Sequence, residues 1–295
     1  MRSLPPAVLA AVGGSELVDI MVEPLTGGTG AATATVDRLT LRIRDGSGAL
    51  SSRHLVRKAL RPLTEGRHAV ASRAVDHWAY WRREALAYAS GLLPTGPGLA
   101  APRLFAVDGD VLYIEEVRGE PEWPAVAARR LGEWIARTPV PDEPWLTQHQ
   151  LAQRVAVSEL DWNAVDGDVR LAALWSRREE LLAEATALTF TVVHGDYSAG
   201  NIRRTGDATT VAIDWATFGT GPVGADLASL TLTTGAWLLE DFLAGLDGAV
   251  PVEEVRRGYE IALALVHASR VHWALGRGLP VDSSLTEMLL GRIRA

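Results

Sequence analysis

Two short apolar runs, each ending in polar residues, constrain this chain more than any other feature of its sequence. The first run, residues 191–193, leads through His-Gly into Asp196, and Asn201 follows shortly afterwards. The second run, residues 211–213, ends in Asp214. Such runs predict short buried strands that deliver the side chains behind them to a shared edge. We therefore expect Asp196, Asn201 and Asp214 to lie in one cleft.

The three side chains suit phosphate chemistry. Two carboxylates and an amide oxygen are hard oxygen ligands, which favour Mg²⁺ carrying phosphates. One carboxylate can instead accept the proton of an attacking hydroxyl. A structural interpretation also exists, because Asp and Asn are common in turns and Asp196 and Asn201 would fit a simple loop cap. The combined spacing, H-x-D-x-x-x-x-N with a further Asp downstream, matches the catalytic loop of kinases and favours catalysis.

The residues in these motifs resemble those of the aminoglycoside phosphotransferase and choline kinase family more than those of the protein kinases. The chain has His-Gly-Asp at 194–196 and Ile-Asp-Trp at 213–215, where protein kinases have Asp-Phe-Gly. The resemblance implies an α+β, two-lobed, protein-kinase-like fold, with a small antiparallel β-sheet lobe that carries one main helix and a larger, mainly helical lobe. It places the nucleotide-binding lobe at residues 1–117 and the catalytic and acceptor-binding lobe at residues 118–295.

The resemblance also assigns roles. It makes Asp196 the catalytic base and makes Asn201 and Asp214 the ligands of Mg²⁺. It gives His194 the task of ordering the loop, and a downstream Asp226 the task of bracing it, although Asp226 would also fit the N-cap of a helix. The implied cofactors are ATP or GTP with Mg²⁺, and the implied partners are a nucleoside triphosphate and a small acceptor that bears a hydroxyl.

Lysine usage points to a second site. The chain has 29 basic residues, and only Lys58 among them is a lysine. A lysine retained where arginine is otherwise preferred suggests a need for a compact ammonium, although a chance surface lysine is the simpler interpretation. Lys58 falls in a predicted strand, residues 54–60, behind a predicted strand at 33–44 and a hairpin signal at 45–48. A lysine on the third strand can neutralise phosphates.

The same part of the chain supplies the remaining nucleotide-binding candidates. The sequence at residues 27–30 predicts a glycine-rich turn. Such a turn lets backbone amides approach phosphates, but taken alone this motif fits a plain tight turn equally well. Residues 68–92 lack Gly and Pro before Gly91 and predict a helix, whose Glu84 the resemblance pairs with Lys58. The linker between lobes is expected to meet the nucleotide base through its backbone. The candidates are Gly27, Gly28, Thr29, Gly30, Lys58, Glu84, Glu115, Glu116 and Val117.

Candidates for the acceptor site come from two other stretches of the chain. Trp162 and Asp161 lie where members of the family often carry a helical insertion, and Trp162 would stack on a sugar ring, although core packing is the competing interpretation. Glu240 and Asp241 belong to an acidic stretch that would bind ammonium groups or simply form a solvated helix face. Helices are predicted at residues 121–137, 169–188, 230–247, 251–278 and 282–294.

The composition argues against a general nucleic-acid binder, a membrane-spanning protein and a disulfide-bonded protein. With 295 residues, 47% hydrophobic and 22% charged, the chain is an ordinary globular protein. A net charge of −7 argues against a general nucleic-acid binder, and no apolar run reaches the roughly 18 residues that span a bilayer. There is no cysteine, so we expect no disulfides or thiol chemistry, and a cytoplasmic location.

The predicted reaction is transfer of the γ-phosphoryl group of a nucleoside triphosphate to a hydroxyl of a small molecule. An aminoglycoside or another antibiotic is the first expectation for the acceptor, and a sugar, an amino alcohol or a nucleoside-type metabolite the second. A catalytically silent nucleotide-binding scaffold and a metallophosphoesterase are the competing classes. The second of these calls for a dense His/Asp set around two metals, and the chain has only seven histidines.

Overall fold

The computed structural model describes residues 4–25, 32–66, 68–206 and 208–293. Within these ranges the strands are β1 Glu16–Pro24, β2 Thr33–Arg44, β3 Leu50–Leu60, β4 Gly98–Ala100, β5 Leu104–Asp108, β6 Val111–Glu115, β7 Glu120–Pro121, β8 Thr147–Gln148, β9 Phe190–Val193, β10 Ile202–Arg204, β11 Thr209–Ala212 and β12 Gly219–Pro222. The helices are α1 Pro6–Ala11, α2 Arg83–Ser90, α3 Pro124–Arg137, α4 Gln150–Ala156, α5 Val169–Ser176, α6 Arg178–Ala187, α7 Ala225–Thr234, α8 Leu239–Leu246, α9 Val252–Leu275 and α10 Ser283–Leu290. The chain is thus α+β, as predicted.

The first part of the chain forms an antiparallel sheet with strand order β1-β2-β3-β6-β5. Alternation determines its faces: Leu39, Leu41 and Ile43 of β2 are buried, and the residues between them are at least partly exposed. The hairpin between β2 and β3 is the predicted one, and its Asp45 carboxylate accepts hydrogen bonds from the backbone amides of Ser47 and Ala49 at 2.8 and 3.0 Å. The predicted strand at 33–44 is confirmed.

The two faces of this sheet bury different partners. One face packs on α1 through a cluster that includes Leu41, Leu55 and Val8. The other face carries Lys58 and Leu60 and joins the main hydrophobic core, which α2 also enters. Because β3 turns odd-numbered residues to the first face and even-numbered residues to the second, Lys58 points toward α2 and the rest of the molecule.

Two small sheets link the large sheet to the helical part. Their strand orders are β4-β11-β10-β7 and β8-β12-β9. β4 pairs in parallel with β11. A strand that precedes position 117 in the sequence therefore shares a sheet with a strand from the C-terminal half of the chain. The boundary at 117 falls just after β6 and remains a prediction.

The helical part is built around α9, a buried 24-residue helix that contacts α5, α6 and α7. Its prediction at 251–278 is confirmed. Two other predicted helices divide: the stretch 169–188 becomes α5 and α6, and the stretch 230–247 becomes α7 and α8. Gly235, at φ 70°, ends α7, since glycine adopts the left-handed conformation at little cost. No helix of the described ranges combines the length and apolar character needed to cross a membrane.

The helix predicted at 68–92 is largely wrong. Only α2 forms there, preceded by turns and one short 3₁₀ segment, Ala71–Arg73. Arg83 explains the difference, because its buried guanidinium donates hydrogen bonds to the carbonyls of Val75, His77 and Trp78. Carbonyls bound in this way curl the chain around one side chain instead of propagating a helix.

Candidate functional site

The His-Gly-Asp turn is held by a buried carboxylate. β9 delivers His194 and Gly195 to the end of its strand, where both backbone amides donate to Asp226, at 2.6 and 2.9 Å. Gly195 has φ 82°, and a Cβ there would lie 2.5 Å from the Thr217 carbonyl oxygen. Only glycine fits both the conformation and the space. Asp226 lies in the first turn of α7, whose N-cap is Gly224, so its carboxylate is used to brace the loop and not to cap the helix.

His194 is fully buried and ties the two motifs together. Its Nδ1 accepts a hydrogen bond from the Asp196 amide at 3.2 Å, and its Nε2 lies 3.0 Å from the Ile213 carbonyl oxygen. These partners require a neutral ring with its proton on Nε2. Burial lowers the pKa of His194, which keeps that form. The ring also packs 4.4 Å from that of Trp215, so this histidine orders the loop.

Asn201 fixes Asp196. The Asn201 Nδ2 donates to the Asp196 backbone carbonyl and to its Oδ2, both at 3.0 Å. The five-residue spacing allows this because a 3₁₀ turn, Ala199–Asn201, brings the chain back. The amide carbonyl of Asn201 is thereby directed away from Asp196.

Asp214 completes the constellation from the segment that directly follows β11. It has φ 66°, an uncommon left-handed conformation for a residue with a side chain, and such conformations often accompany function. Its Oδ1 lies 2.8 Å from Lys58 Nζ, and Lys58 Nζ lies 2.6 Å from Glu84 Oε2. The structure therefore contains the predicted Lys58–Glu84 ion pair and adds Asp214 to it.

The carboxylates of Glu84 and Asp214 both contact the Lys58 ammonium, but they differ in how far they are buried. Burial alone would lower the pKa of Lys58, but the charges of Glu84 and Asp214 more than offset that effect and raise it. Glu84 is withdrawn from water, and burial raises its pKa to about 7 in spite of Lys58. Asp214 has a third of its side chain exposed, and the Lys58 ammonium outweighs burial and lowers its pKa. Lys58 is thus charged at neutral pH.

These residues line a cleft of about 530 Å³ between the large sheet and the loop that carries Asn201. Most of the predicted nucleotide and metal candidates contribute to it, namely Lys58, Glu84, Glu115, Glu116, Val117, Asn201 and Asp214. Gly27, Gly28, Thr29 and Gly30 lie outside the described residues. Glu116 pairs with Arg38 at 2.5 Å and with Arg118 at 2.8 Å, so its side chain rigidifies the linker. The Glu115 carboxylate accepts a hydrogen bond from the Arg103 amide at 3.2 Å.

Two side chains in this cleft carry oxygen atoms of the kind that bind Mg²⁺. Asn201 offers an amide oxygen and Asp214 a partly exposed carboxylate, and both line the same space. Those oxygen types, few in number and completed by phosphate oxygens, are what protein-bound Mg²⁺ takes. The donor set therefore fits the ion that the family resemblance implies.

Asp196 lines two further cavities, of about 70 and 190 Å³. Asp196 and Arg154 line both cavities, Arg270 lines the smaller, and Trp78 and Asp214 line the larger. Arg154, Arg270 and Trp78 are not among the residues predicted from the sequence. A signal for Arg270 was present, since it is a cation within the apolar run that becomes α9.

The predicted acceptor residues lie elsewhere. Trp162 packs against the His272 ring, with centroids 5.3 Å apart, and Asp161 caps a short turn by accepting a hydrogen bond from the Asn163 amide. Glu240 and Asp241 are in the first turn of α8, which packs on α3. None of the four lines either cavity that contains Asp196.

Several solved structures are similar in fold to this chain. Among solved structures, a choline kinase from Cryptosporidium parvum Iowa II superposes with a TM-score of 0.55 at 11% identity, over 97% of this chain and 92% of that chain. The macrolide 2'-phosphotransferase MphH from Brachybacterium faecium gives 0.53 at 18% identity, over 97% and 95%. A GDP complex of an aminoglycoside 2'-phosphotransferase gives 0.52 at 13% identity, over 97% and 93%.

Identities this low establish the fold alone, and that fold is the predicted protein-kinase-like one. No curated protein sequence matched the chain. The profile of the phosphotransferase enzyme family matches residues 83–259, which is more than half of the sequence. The chain therefore belongs to the phosphotransferase enzyme family.

Proposed function

We propose that this protein transfers the γ-phosphoryl group of ATP or GTP to a hydroxyl of a small-molecule acceptor. One observation carries the proposal: Asp196 is held by Asn201, which lines the 530 Å³ cleft, and Asp196 itself lines two further cavities. A base in that place would lie between a phosphate donor in the cleft and an acceptor in one of these cavities. Residues 1–117 would then hold the nucleotide, and residues 118–295 the catalytic loop and the acceptor.

Lys58 binds phosphate oxygens in this proposal. Its ammonium is charged and buried and is held by Glu84 at 2.6 Å, so little freedom remains to be lost when a phosphate binds. Glu84 acts through Lys58 and does not itself meet the nucleotide. The backbone of Glu115 to Val117 would meet the base.

Asp196 accepts the proton of the acceptor hydroxyl as the hydroxyl oxygen attacks the γ-phosphorus, and the bond from that phosphorus to the bridging oxygen breaks to release ADP or GDP. A positioned base contributes a factor of about 10² to 10⁴ in rate. The Asn201 bond at Oδ2 orients the carboxylate and leaves Oδ1 to the hydroxyl. Mg²⁺, held by Asn201 and Asp214, would neutralise charge on the β- and γ-phosphates.

The acceptor class is the open part of the proposal. Solved structures similar to this chain include a macrolide 2'-phosphotransferase, an aminoglycoside 2'-phosphotransferase and a choline kinase. Antibiotics are therefore the first group of candidates and amino alcohols and sugars the second.

The test is Mg²⁺-dependent nucleotide consumption across a panel of aminoglycosides, macrolides, nucleoside antibiotics, sugars, choline and hydroxy acids. Turnover with one acceptor, abolished in Asp196→Ala and Lys58→Ala but retained in Asp142→Asn, would support the proposal. Asp142 is a matched control because it is an exposed loop carboxylate. Tight ATP–Mg²⁺ binding with no turnover, unchanged in Asp196→Asn, would indicate the silent scaffold, and phosphate release from a model ester without nucleotide would indicate the phosphoesterase. Failure to bind any nucleotide would reject the kinase proposal.

A further inference from the structure

The cleft of about 530 Å³ contains a cation that the proposed function has not used. Among the described residues, Arg38, Lys58 and Arg203 are the cations that line it. Lys58 contacts the Glu84 carboxylate and Arg38 contacts the Glu116 carboxylate. Arg203 forms no ion pair with any residue of the described ranges. Its charge is therefore available to an anion that enters the cleft.

Strand β10 presents Arg203 to the cleft. Ile202, the first residue of the strand, is buried in the main hydrophobic core. Because side chains alternate along a strand, Arg203 emerges on the opposite face, where it lines the cleft. Asn201 immediately precedes the strand and lines the same cleft. Arg203 thus lies on the cleft floor, two residues beyond one of the proposed metal ligands.

The other neighbours of Arg203 belong to the linker end of the cleft. Arg203 pairs in register with Pro121 of β7, a strand that begins shortly after Val117. In the proposed function the linker backbone meets the nucleotide base, and Asn201 binds the metal. The sugar and the α-phosphate of a nucleotide lie between its base and its metal-bound phosphates. Arg203 lies between the same two ends of the cleft.

Hydrogen bonds to the chain itself orient the guanidinium. Its Nη1 donates to the carbonyl oxygen of Ile202 at 3.0 Å and to that of Ala199 at 3.4 Å. Both carbonyls belong to the loop around Asn201, so these bonds hold the guanidinium toward the metal end of the cleft. Among the described residues, Nε and Nη2 of Arg203 have no hydrogen-bond partner. The planar group is therefore held at one corner and keeps a donor edge for a ligand.

This arrangement favours a phosphate over the nucleotide base as the group that Arg203 binds. A guanidinium beneath the base would stack on it, but the bonds to Ala199 and Ile202 draw the group away from the linker, where the base is expected. The side chain is partly buried, so water and salt screen its charge less than that of a surface arginine. Arginine remains charged at any physiological pH, and its planar donors match phosphate oxygens.

We propose that Arg203 binds the α-phosphate of the nucleotide through Nε and Nη2. Lys58 and the metal would then serve the phosphates that lie farther from the sugar. This inference rests on the proposed function for the identity of the ligand as a nucleotide. It makes Arg203 a binding residue for the phosphate donor, in addition to the residues predicted from the sequence.

The test compares adenosine, AMP and ADP by calorimetry in the absence of Mg²⁺. Adenosine and AMP differ by the α-phosphate alone, so the ratio of their dissociation constants isolates its contribution. We expect AMP to bind more tightly than adenosine, and Arg203→Gln to reduce that advantage about 10-fold, since hydrogen bonds between charged groups contribute that much. The adenosine dissociation constant should stay within about twofold, because the α-phosphate is the only group lost. ADP should lose the same factor as AMP.

Two further variants locate the effect. Arg203→Lys keeps the charge without the planar fork and should retain part of the AMP advantage. Arg204→Gln is the matched control, because Arg204 is the next residue of β10, lies 5.8 Å from the Trp123 ring and does not line the cleft. It should leave the ratio of AMP to adenosine binding intact. Raising the salt concentration should shrink the difference between the wild type and Arg203→Gln.

Three results would overturn the inference: no advantage of AMP over adenosine in the wild type, a ratio unchanged in Arg203→Gln, or an equal loss of adenosine and AMP binding in that variant. The last result would indicate a contact with the base or a disturbed cleft. Phosphoryl transfer to an acceptor with a ratio unchanged in Arg203→Gln would reject this inference alone. AMP and ADP binding that depends on Arg203, without transfer to any acceptor, would support the inference and reject the kinase. Failure of the wild type to bind any of the three probes would reject both.

Discussion

Asn201 gives both of its Nδ2 hydrogen bonds to Asp196, one to the backbone carbonyl and one to the carboxylate, each at 3.0 Å. The residue that would ligate the metal therefore also sets the orientation of the residue that would accept the proton. In the proposed function, one side chain would thus couple nucleotide binding to proton transfer.

Asp196→Asn should separate these functions. The amide keeps the size of the side chain but cannot accept the proton, so kcat with the identified acceptor should fall by about 10² to 10⁴. The nucleotide dissociation constant should change little, because the Asn201 and Asp214 side chains that line the cleft stay in place. Fluorescent-nucleotide titration and steady-state kinetics measure the two quantities. A loss of nucleotide affinity as large as the loss of kcat would place Asp196 in the nucleotide site instead.

Lys58 and Glu84 should depend on each other for stability. Lys58→Met leaves the Glu84 carboxylate buried without its counter-ion, and breaking a buried pair in this way costs about 3–5 kcal/mol of unfolding free energy. The cost should be greater at pH 8 than at pH 6, because the raised pKa of Glu84 lets it take up a proton as the pH falls. Urea denaturation at both pH values measures it.

The double variant provides the control. Lys58→Met with Glu84→Gln removes the stranded charge, so it should be more stable at pH 8 than Lys58→Met alone. Strict additivity of the two single changes would show that the pair is not energetically coupled. Glu84→Gln alone should keep the fold and weaken nucleotide binding, since Lys58 would then be held only by Asp214.

Local spacing explains which parts of the site were predictable. The interval between Asp196 and Asn201 is short, so a turn alone brings them together, and a motif can encode that geometry. The pairing of Lys58 with Glu84 crosses from a strand to a helix, and the family resemblance supplied it. The strand at 33–44 was predictable because its alternation and the hairpin behind it agree.

The rest depends on tertiary contacts that no local pattern contains. In the sequence Arg83 looks like an ordinary helix residue. In the structure it is fully buried and donates hydrogen bonds to backbone carbonyls of the preceding segment, including that of Trp78. Arg154 and Arg270 are far apart in sequence and meet only because α4 and α9 pack together. The acidic pair Glu240 and Asp241 matched an expected charge pattern, but their helix packs on α3, and neither residue lines the cavities that Asp196 lines.

Asp226 should give the protein a pH dependence of known sign. Its pKa is raised from 3.8 to about 7 in the folded chain, so its contribution to stability is fully present below 3.8 and is lost as the pH rises through about 7. Asp226→Asn has no such titration. The stability advantage of the wild type over this variant should therefore shrink by about 2–3 kcal/mol between pH 5 and pH 7. Denaturation curves at pH 5, 6, 7 and 8 measure it, and a constant difference would show that this carboxyl is not the titrating group.

Arg83 should be among the residues on which the fold depends most. Its side chain is fully buried and donates to the carbonyls of Val75, His77, Trp78 and Trp145, at 2.7 to 2.9 Å. Arg83→Met keeps much of the volume but leaves these acceptors unpaired, which should cost about 3–5 kcal/mol of unfolding free energy.

The neighbouring residue gives a matched control for that change. Arg82→Met removes an arginine whose side chain is 48% exposed, and should alter stability by less than about 0.5 kcal/mol. Because Arg83 positions Trp78, on which Arg154 stacks, Arg83→Met should also raise the KM for the acceptor more than the KM for the nucleotide. Equal losses in the two arginine variants would show that the carbonyl network contributes no net stability, and the curled segment at 75–78 would then need another cause.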